Sequence, residues 1–273
     1  MDGAASFERL LRRDRLIVAA CLALTIIIAW AWTLQATMSM PPAMDDMSGM
    51  TDMADMGAMS APAPAFGPYL LSAFVMWVLM MIAMMLPSAA PMILLYARVA
   101  RSAKGQASVL APTGLFAAVY LAVWSAFALL AALAQTELLR MGVLSAASLK
   151  VGDQGLVGGL LILAGFYQLT PLKRACLASC RSPVIFLTRL WRPGWAGAIR
   201  LGLAHGLYCV GCCWLLMALL FVGGIMSLAW VAGLAAFVLA EKLLPVGQRF
   251  GLILGAAAIL AGVAIWTGLI PVA

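Results

Sequence analysis

The chain has 273 residues, of which 65% are hydrophobic and only 10% are charged. A soluble domain carries about 25% charged residues, so this chain cannot cover a water-facing surface. The composition therefore excludes a soluble enzyme, a disordered tail and a disulfide-stapled secreted module. It predicts an all-α, polytopic bundle of about seven transmembrane helices. The net charge of +7 does not indicate nucleic-acid binding, because the basic residues stand in short clusters between apolar runs.

The first predicted span covers residues 16–36 and follows four arginines that should hold the N-terminus in the cytoplasm. An A-x-A pattern within it resembles the end of a signal peptide, but the apolar run is longer than an ordinary leader core and is closed by two tryptophans. Residues 1–37 are therefore interpreted as a basic cytoplasmic N-terminus and a first transmembrane helix. The segment that follows is expected outside.

Residues 38–68 are predicted to form a flexible outer segment rich in methionine and aspartate. Six of its methionines recur at every third position, a step that drifts around an α-helix. Thioethers are soft ligands that prefer Cu(I), and neighbouring carboxylates attract any cation. Low-complexity drift in an unpacked loop is the alternative. The candidate ligands are Met44, Met47, Met50, Met53, Met56 and Met59.

Residues 69–273 are predicted to form a six-helix transmembrane bundle. Its expected spans are residues 69–96, 110–134, 156–172, 201–222, 225–244 and 250–270. The loop at 173–200 contains six basic residues and no acid, which indicates a cytoplasmic location. This map places every Lys and Arg except Arg140 and Lys150 on the inner side. Because seven spans start from a cytoplasmic N-terminus, the C-terminus is expected outside. The fourth span, at about 17 residues, is short for a membrane crossing.

Glycines at four-residue spacing predict close packing of two of these helices. They are Gly202 and Gly206 in the fifth span, and Gly247, Gly251 and Gly255 at the last span. Small residues at this spacing let helix backbones approach each other in lipid. The alternative is the ordinary enrichment of glycine in membrane helices.

Four donor side chains share one flank of the predicted fifth span. They are His205, the single histidine of the chain, and Cys209, Cys212 and Cys213. At 100° per residue they cover one side of a helix over two turns. An ionisable group within a span is expensive and is by default a candidate functional site. The alternative is that these residues pack in the core, since a free cysteine behaves as a small hydrophobe.

One straight helix cannot surround an ion, so neighbouring segments must supply further ligands. Cys176 and Cys180, spaced as C-x-x-x-C in the basic loop, are candidates. Glu241 is another, as the acid embedded near a later span. Its alternative role is an ion pair with Lys242 or another interfacial base.

A stripe of methionines on the second span is expected at the depth of these cysteines. Met80, Met84 and Met85 are the candidate ligands, and Pro87 and Pro91 should kink the helix beside them. The alternative is that methionine serves here as an adaptable packing residue in a kinked helix.

Several stretches carry a resemblance to a known family. They are the run from Met84 to Met92, the segment 172–183 and the run from His205 to Met217, followed later by EKLLP at 241–245. They resemble the bacterial family described as predicted metal-binding integral membrane proteins, domain of unknown function 2182, over roughly residues 70–250. The resemblance implies a multi-pass membrane protein that binds metal, and it supplies no established activity.

The leading hypothesis is a protein of the bacterial inner membrane that handles Cu(I), with zinc or nickel as alternative metals. The outer methionines would capture the ion, and the intramembrane Cys/His/Met site would receive it. The expected partners are the lipid bilayer and a periplasmic metal chaperone or another membrane subunit, and no nucleic acid is expected.

Two other functions stay open. Cys209 and Cys212 have the spacing of a redox pair, as in a membrane thiol-disulfide oxidoreductase, although such catalysis needs an accessible thiolate. The second alternative is an accessory subunit of another membrane complex. The sequence has neither a second histidine for a zinc-protease pair nor a phosphate-binding loop. Catalysis is therefore not the favoured interpretation, and no catalytic residue is assigned.

Overall fold

A computed structural model describes residues 2–38, 66–102, 110–145 and 149–271. These residues form ten α-helices and no strand, apart from one isolated antiparallel bridge between Leu144 and Val151. The all-α prediction is therefore confirmed. The helices are α1 (Asp2–Met38), α2 (Phe66–Ser102), α3 (Leu110–Arg140), α4 (Gln154–Leu169), α5 (Pro171–Arg181), α6 (Pro183–Leu190), α7 (Gly194–Ala218), α8 (Leu220–Gly223), α9 (Leu228–Leu243) and α10 (Gly247–Trp266).

Five helices in the described part of the chain are long and apolar enough to cross a membrane. They are Leu16–Ala36 within α1, α2, α3, the continuous pair α7 and α8, and α10. About 20 apolar residues are needed to cross the hydrocarbon layer as a helix. Helices α4 and α5 form a sixth candidate if they count as one broken span. Several long apolar helices are those expected of a multi-pass membrane protein.

The predicted fourth span, the weakest element of the predicted map, is broken at residue 170. Helix α4 ends at Leu169, and Pro171 begins α5 because proline cannot continue the preceding helix but fits a first turn. The Thr170 side chain accepts a hydrogen bond from the Lys173 amide and caps α5. The two helices meet at a bend of 65°, and α5 packs against α7.

Helix α9 is also shorter than a full crossing. It has 16 residues, Leu228–Leu243, where the sequence predicted a span at 225–244. The predicted count of seven spans and the sides on which the two ends lie therefore stay predictions.

The predicted role of the glycines in packing is confirmed at α7 and α10. A Cβ atom at Gly202 would come within 2.7 Å of the Phe116 carbonyl oxygen of α3, and one at Gly206 within 2.9 Å of Val123. A Cβ atom at Gly255 would lie 2.7 Å from the Gln168 side chain of α4. Such distances are too short for any larger residue, so the glycines permit these helices to touch.

The proline-containing region of α2 is joined to α1. Pro87 has no N–H, so the carbonyl of Ala83 lacks its usual helical donor. The indole Nε1 of Trp30 in α1 donates to that carbonyl at 3.1 Å. The bond satisfies a buried acceptor and fixes α1 to the segment of α2 that precedes Met85.

Candidate metal centre

The three cysteines of α7 form a buried group of free thiols. Each is about 1% exposed. The thiols of Cys212 and Cys213 both donate to the carbonyl of Cys209, at 3.1 and 2.9 Å. These bonds turn both sulfurs back along the helix toward Cys209. The helical spacing therefore gathers three soft donors on one flank, as the sequence predicted.

Helix α2 brings one methionine to this group. The Sγ atom of Cys213 lies 3.9 Å from the Sδ atom of Met85, which is fully buried. Met80 and Met84 are buried in α2 as well and belong to the hydrophobic core. The expected approach of the methionine stripe to the cysteines is thus observed at Met85.

The bend before α5 places the two loop cysteines beside α7. The Cys180 thiol interacts with the thiols of Cys209 and Cys212. The Sγ atom of Cys176 lies against Gly211, where a Cβ atom would stand 3.0 Å from it. Both cysteines of the C-x-x-x-C pair therefore approach the helix that carries the other candidate donors.

His205 lies one helical turn before Cys209 and is packed among aromatic rings. Its ring centroid is 6.1 Å from that of Phe116, 5.4 Å from Tyr120 and 5.6 Å from Phe186. The Nδ1 atom is buried and has no hydrogen-bond partner among the described residues. A buried polar atom without a partner is destabilising, and it is also a nitrogen donor available to a ligand.

Glu241 is held in an ion pair. Its two carboxylate oxygens lie 2.7 and 2.8 Å from the Nζ atom of Lys173, and both side chains are buried. This is the alternative considered for Glu241 in the sequence, although the base is Lys173 of α5 and not Lys242. The carboxylate that was a candidate ligand is therefore already engaged.

Two polar groups that the sequence did not single out border Cys209, and a third, Ser88, contacts one of them. The Nζ atom of Lys242 lies 3.0 Å from the Cys209 Sγ atom and 3.1 Å from the Ser88 Oγ atom. The hydroxyl of Tyr120 lies 3.1 Å from the same sulfur and donates to the Met85 carbonyl at 3.3 Å. The adjacent charges of residues 241 and 242 were the available signal, because neighbours on a helix point to different partners.

These donors do not form a finished metal site. Within the described ranges, no group of three or more His, Cys, Asp and Glu side chains is arranged to hold a metal ion. Cys212 and Cys213 direct their thiols at a carbonyl instead of at a common point. Binding an ion would require these thiols to leave the carbonyl and turn toward each other.

The predicted ligands of the outer segment lie outside the described residues. They are Met44, Met47, Met50, Met53, Met56 and Met59.

Comparison with known protein families gives a match over most of the chain. Residues 74–265 match the model of a family, PpoB2, described as copper chaperone. The match includes α3 to α9, most of α2 and nearly all of α10, and therefore every cysteine discussed above. No curated protein and no solved structure matches the chain significantly. The expected relation to a metal-handling family is confirmed for copper, while the name domain of unknown function 2182 stays a prediction.

Proposed function

We propose, from the premise that this chain belongs to the copper-chaperone family, that it carries Cu(I) as cargo on the buried thiols of α7 and the half-buried thiols of α5. The observation that supports this most is the grouping of thiols around Cys209: Cys212 and Cys213 donate to its carbonyl, and Cys180 lies on α5, which packs against α7. Thiolates and thioethers are the ligands that favour Cu(I) over harder metals.

The proposed ligands are the thiolates of this group, with the thioether of Met85 beside them. Cys212 and Cys213 exchange their hydrogen bonds to the Cys209 carbonyl for bonds to the ion. The thiols lose their protons in this step, since the thiolate is the form that binds metal. His205 and Cys176 border the group as further donors.

We place the protein in the bacterial inner membrane. We assign the capture of copper to the outer methionines between residues 44 and 59. Their thioethers suit Cu(I), and the neighbouring aspartates attract cations. Transfer from this segment to the thiols and onward to a periplasmic metal chaperone or membrane subunit completes the proposed route. The alternative of a thiol-disulfide oxidoreductase is less well supported, because Cys209 and Cys212 are buried and redox-active thiols need access to their partners.

The proposal is tested by the copper content of the purified full-length protein in detergent, with ascorbate to keep copper as Cu(I). The six outer methionines are replaced by leucine in all samples, so that only the inner donors are compared. Replacement of Cys209, Cys212 and Cys213 by serine should abolish the bound Cu(I). Cys21→Ser is the matched control, because Cys21 is exposed on α1.

Bound Cu(I) in the control and its absence in the triple variant are the expected results. Equal copper in both would refute an intramembrane thiol site. Thermal unfolding of each variant shows whether it is folded. If the triple variant is unfolded, Cys209→Ser alone carries the test.

A further inference from the structure

Lys242 is a buried cation whose nearest ionisable neighbour is a thiol. It is 6% exposed, and no carboxylate of the described residues forms an ion pair with it, since the adjacent Glu241 pairs with Lys173. Its Nζ atom instead contacts the Sγ atom of Cys209 and the Oγ atom of Ser88. A buried charge is stable only when it is compensated, so this ammonium requires negative charge from the sulfur group.

The charges of the surrounding groups indicate that the compensation for Lys242 comes from the sulfur group. Cys209, Cys212 and Cys213 of α7 and Tyr120 of α3 all interact electrostatically with Lys242. The bidentate pair of Lys173 with Glu241 is neutral in itself and leaves the charge of Lys242 unmatched. Lys242 is therefore the cation that faces the candidate ligands.

This arrangement distinguishes metal ions by their charge. A given set of thiolates around a monovalent ion is always one unit more negative than the same set around a divalent ion. Whatever the number of thiolates, the positive charge of Lys242 stabilises the more negative complex, that of the monovalent ion, by more than it stabilises the complex of the divalent ion. Because such charges act strongly in a region of low dielectric constant, the difference favours the monovalent ion.

We propose that Lys242 is a specificity-determining residue, whose fixed positive charge beside Cys209 makes the thiol site prefer monovalent soft cations to divalent ones. The proposal rests on the proposed function, since it assumes that the thiols bind metal. It goes beyond that function because it assigns the choice between Cu(I) and ions such as Zn(II) to a residue that is not a ligand.

The test compares a monovalent and a divalent soft ion in direct competition. Ag⁺ and Cd²⁺ both prefer thiolates, so their competition reports charge more than softness. The full-length protein, again with the outer methionines replaced by leucine, is equilibrated with both ions, and the bound ratio is measured by elemental analysis. Lys242→Met removes the charge and keeps much of the side-chain length. Arg249→Met is the matched control, since it removes a positive charge from an exposed position of α10.

Lys242→Met should lower the preference for Ag⁺ over Cd²⁺ by at least about tenfold, while Arg249→Met should leave it within about twofold. Lys242→Arg, which keeps the charge, should retain the preference. A role of Lys242 in packing alone would change the affinity for both ions together and leave their ratio unaltered. A ratio in Lys242→Met within about twofold of the unsubstituted protein would overturn the proposal.

Two controls keep the outcomes distinct. If thermal denaturation shows that the Lys242→Met variant is not folded, Lys242→Gln replaces it, because the amide can still bond to Ser88 without carrying charge. If the unsubstituted protein and the triple serine variant bind the ions equally, the proposed function fails. If the thiols bind the ions but Lys242→Met does not change the bound ratio of Ag⁺ to Cd²⁺, only the specificity proposal fails.

Discussion

Cys209 is the residue at which most interactions of the site meet. Its sulfur contacts Lys242 and Tyr120, and its carbonyl accepts the thiols of Cys212 and Cys213. A helix presents residues three and four apart on one face, so the sequence was sufficient to predict that these cysteines lie together. The identity of the groups opposite them depends on which helices pack there.

Lys242 shows why the rest of the site could not be predicted from the sequence. The adjacent pair Glu241 and Lys242 suggested an ion pair at the end of an apolar run. In the fold, Glu241 turns toward Lys173 and Lys242 turns toward Cys209. Both partners are distant in sequence, and the arrangement of helices selects them. Hydrophobic patterns carry no information about such pairings.

At the same scale, Glu241→Gln separates the two roles considered for this carboxylate. It leaves the Lys173 ammonium buried without a countercharge, so we expect a loss of about 3–5 kcal/mol in the free energy of unfolding. The amount of Cu(I) bound per folded molecule should not change. The measurements are denaturant titration in detergent and copper content. Replacing Lys173 and Glu241 together with Met and Leu should recover part of the stability. Loss of copper without loss of stability would identify Glu241 as a ligand.

Among the elements, α5 departs most from expectation. Residues 173–200 were predicted as a basic cytoplasmic loop, yet they contain most of α5, all of α6 and the start of α7, and Lys173 is buried. Many basic residues in a short segment predict a loop outside the hydrocarbon layer but do not reveal a helix that folds back on its neighbours. The short fourth span was the one sequence feature that hinted at the bend.

The contact between α4 and α10 gives a prediction for element packing. A Cβ atom at Gly165 would lie 2.5 Å from the Gly255 carbonyl oxygen, so Gly165→Ala should push the two helices apart. We expect a loss of about 1–3 kcal/mol in the free energy of unfolding, measured by denaturant titration in detergent. Gly233→Ala on α9 is the matched control, because a Cβ atom there meets nothing within 4 Å. Equal effects of the two substitutions would contradict the close contact.

For the whole molecule, the sequence predicted the class of fold better than the count of its spans. A long apolar run reports that a segment is stable in lipid, which was sufficient for α2, α3, α7 and α10. It does not report a break such as that between α4 and α5, nor the length of α9. Those features depend on backbone geometry at Thr170 and at the ends of α9.

Burial of the thiols across the bundle predicts how the intact protein reacts with a small thiol reagent in detergent. Cys21 is exposed and should react first, whereas Cys209, Cys212 and Cys213 should react only when the bundle opens. Mass spectrometry of modified peptides over time gives the rates. We expect those three thiols to react at least about tenfold more slowly than Cys21, and all six cysteines to react in denaturant. Rapid labelling of the α7 thiols in the folded protein would count against a closed site.

The hydrogen bond from Trp30 to the Ala83 carbonyl has a consequence for the segment between α1 and α2. It holds together the two helices that precede and follow residues 39–65, at Ala83, two residues before Met85. If copper is captured between residues 44 and 59, its passage to the thiols is an intramolecular step. The rate of that step would depend on tether length and would be independent of how dilute the protein is.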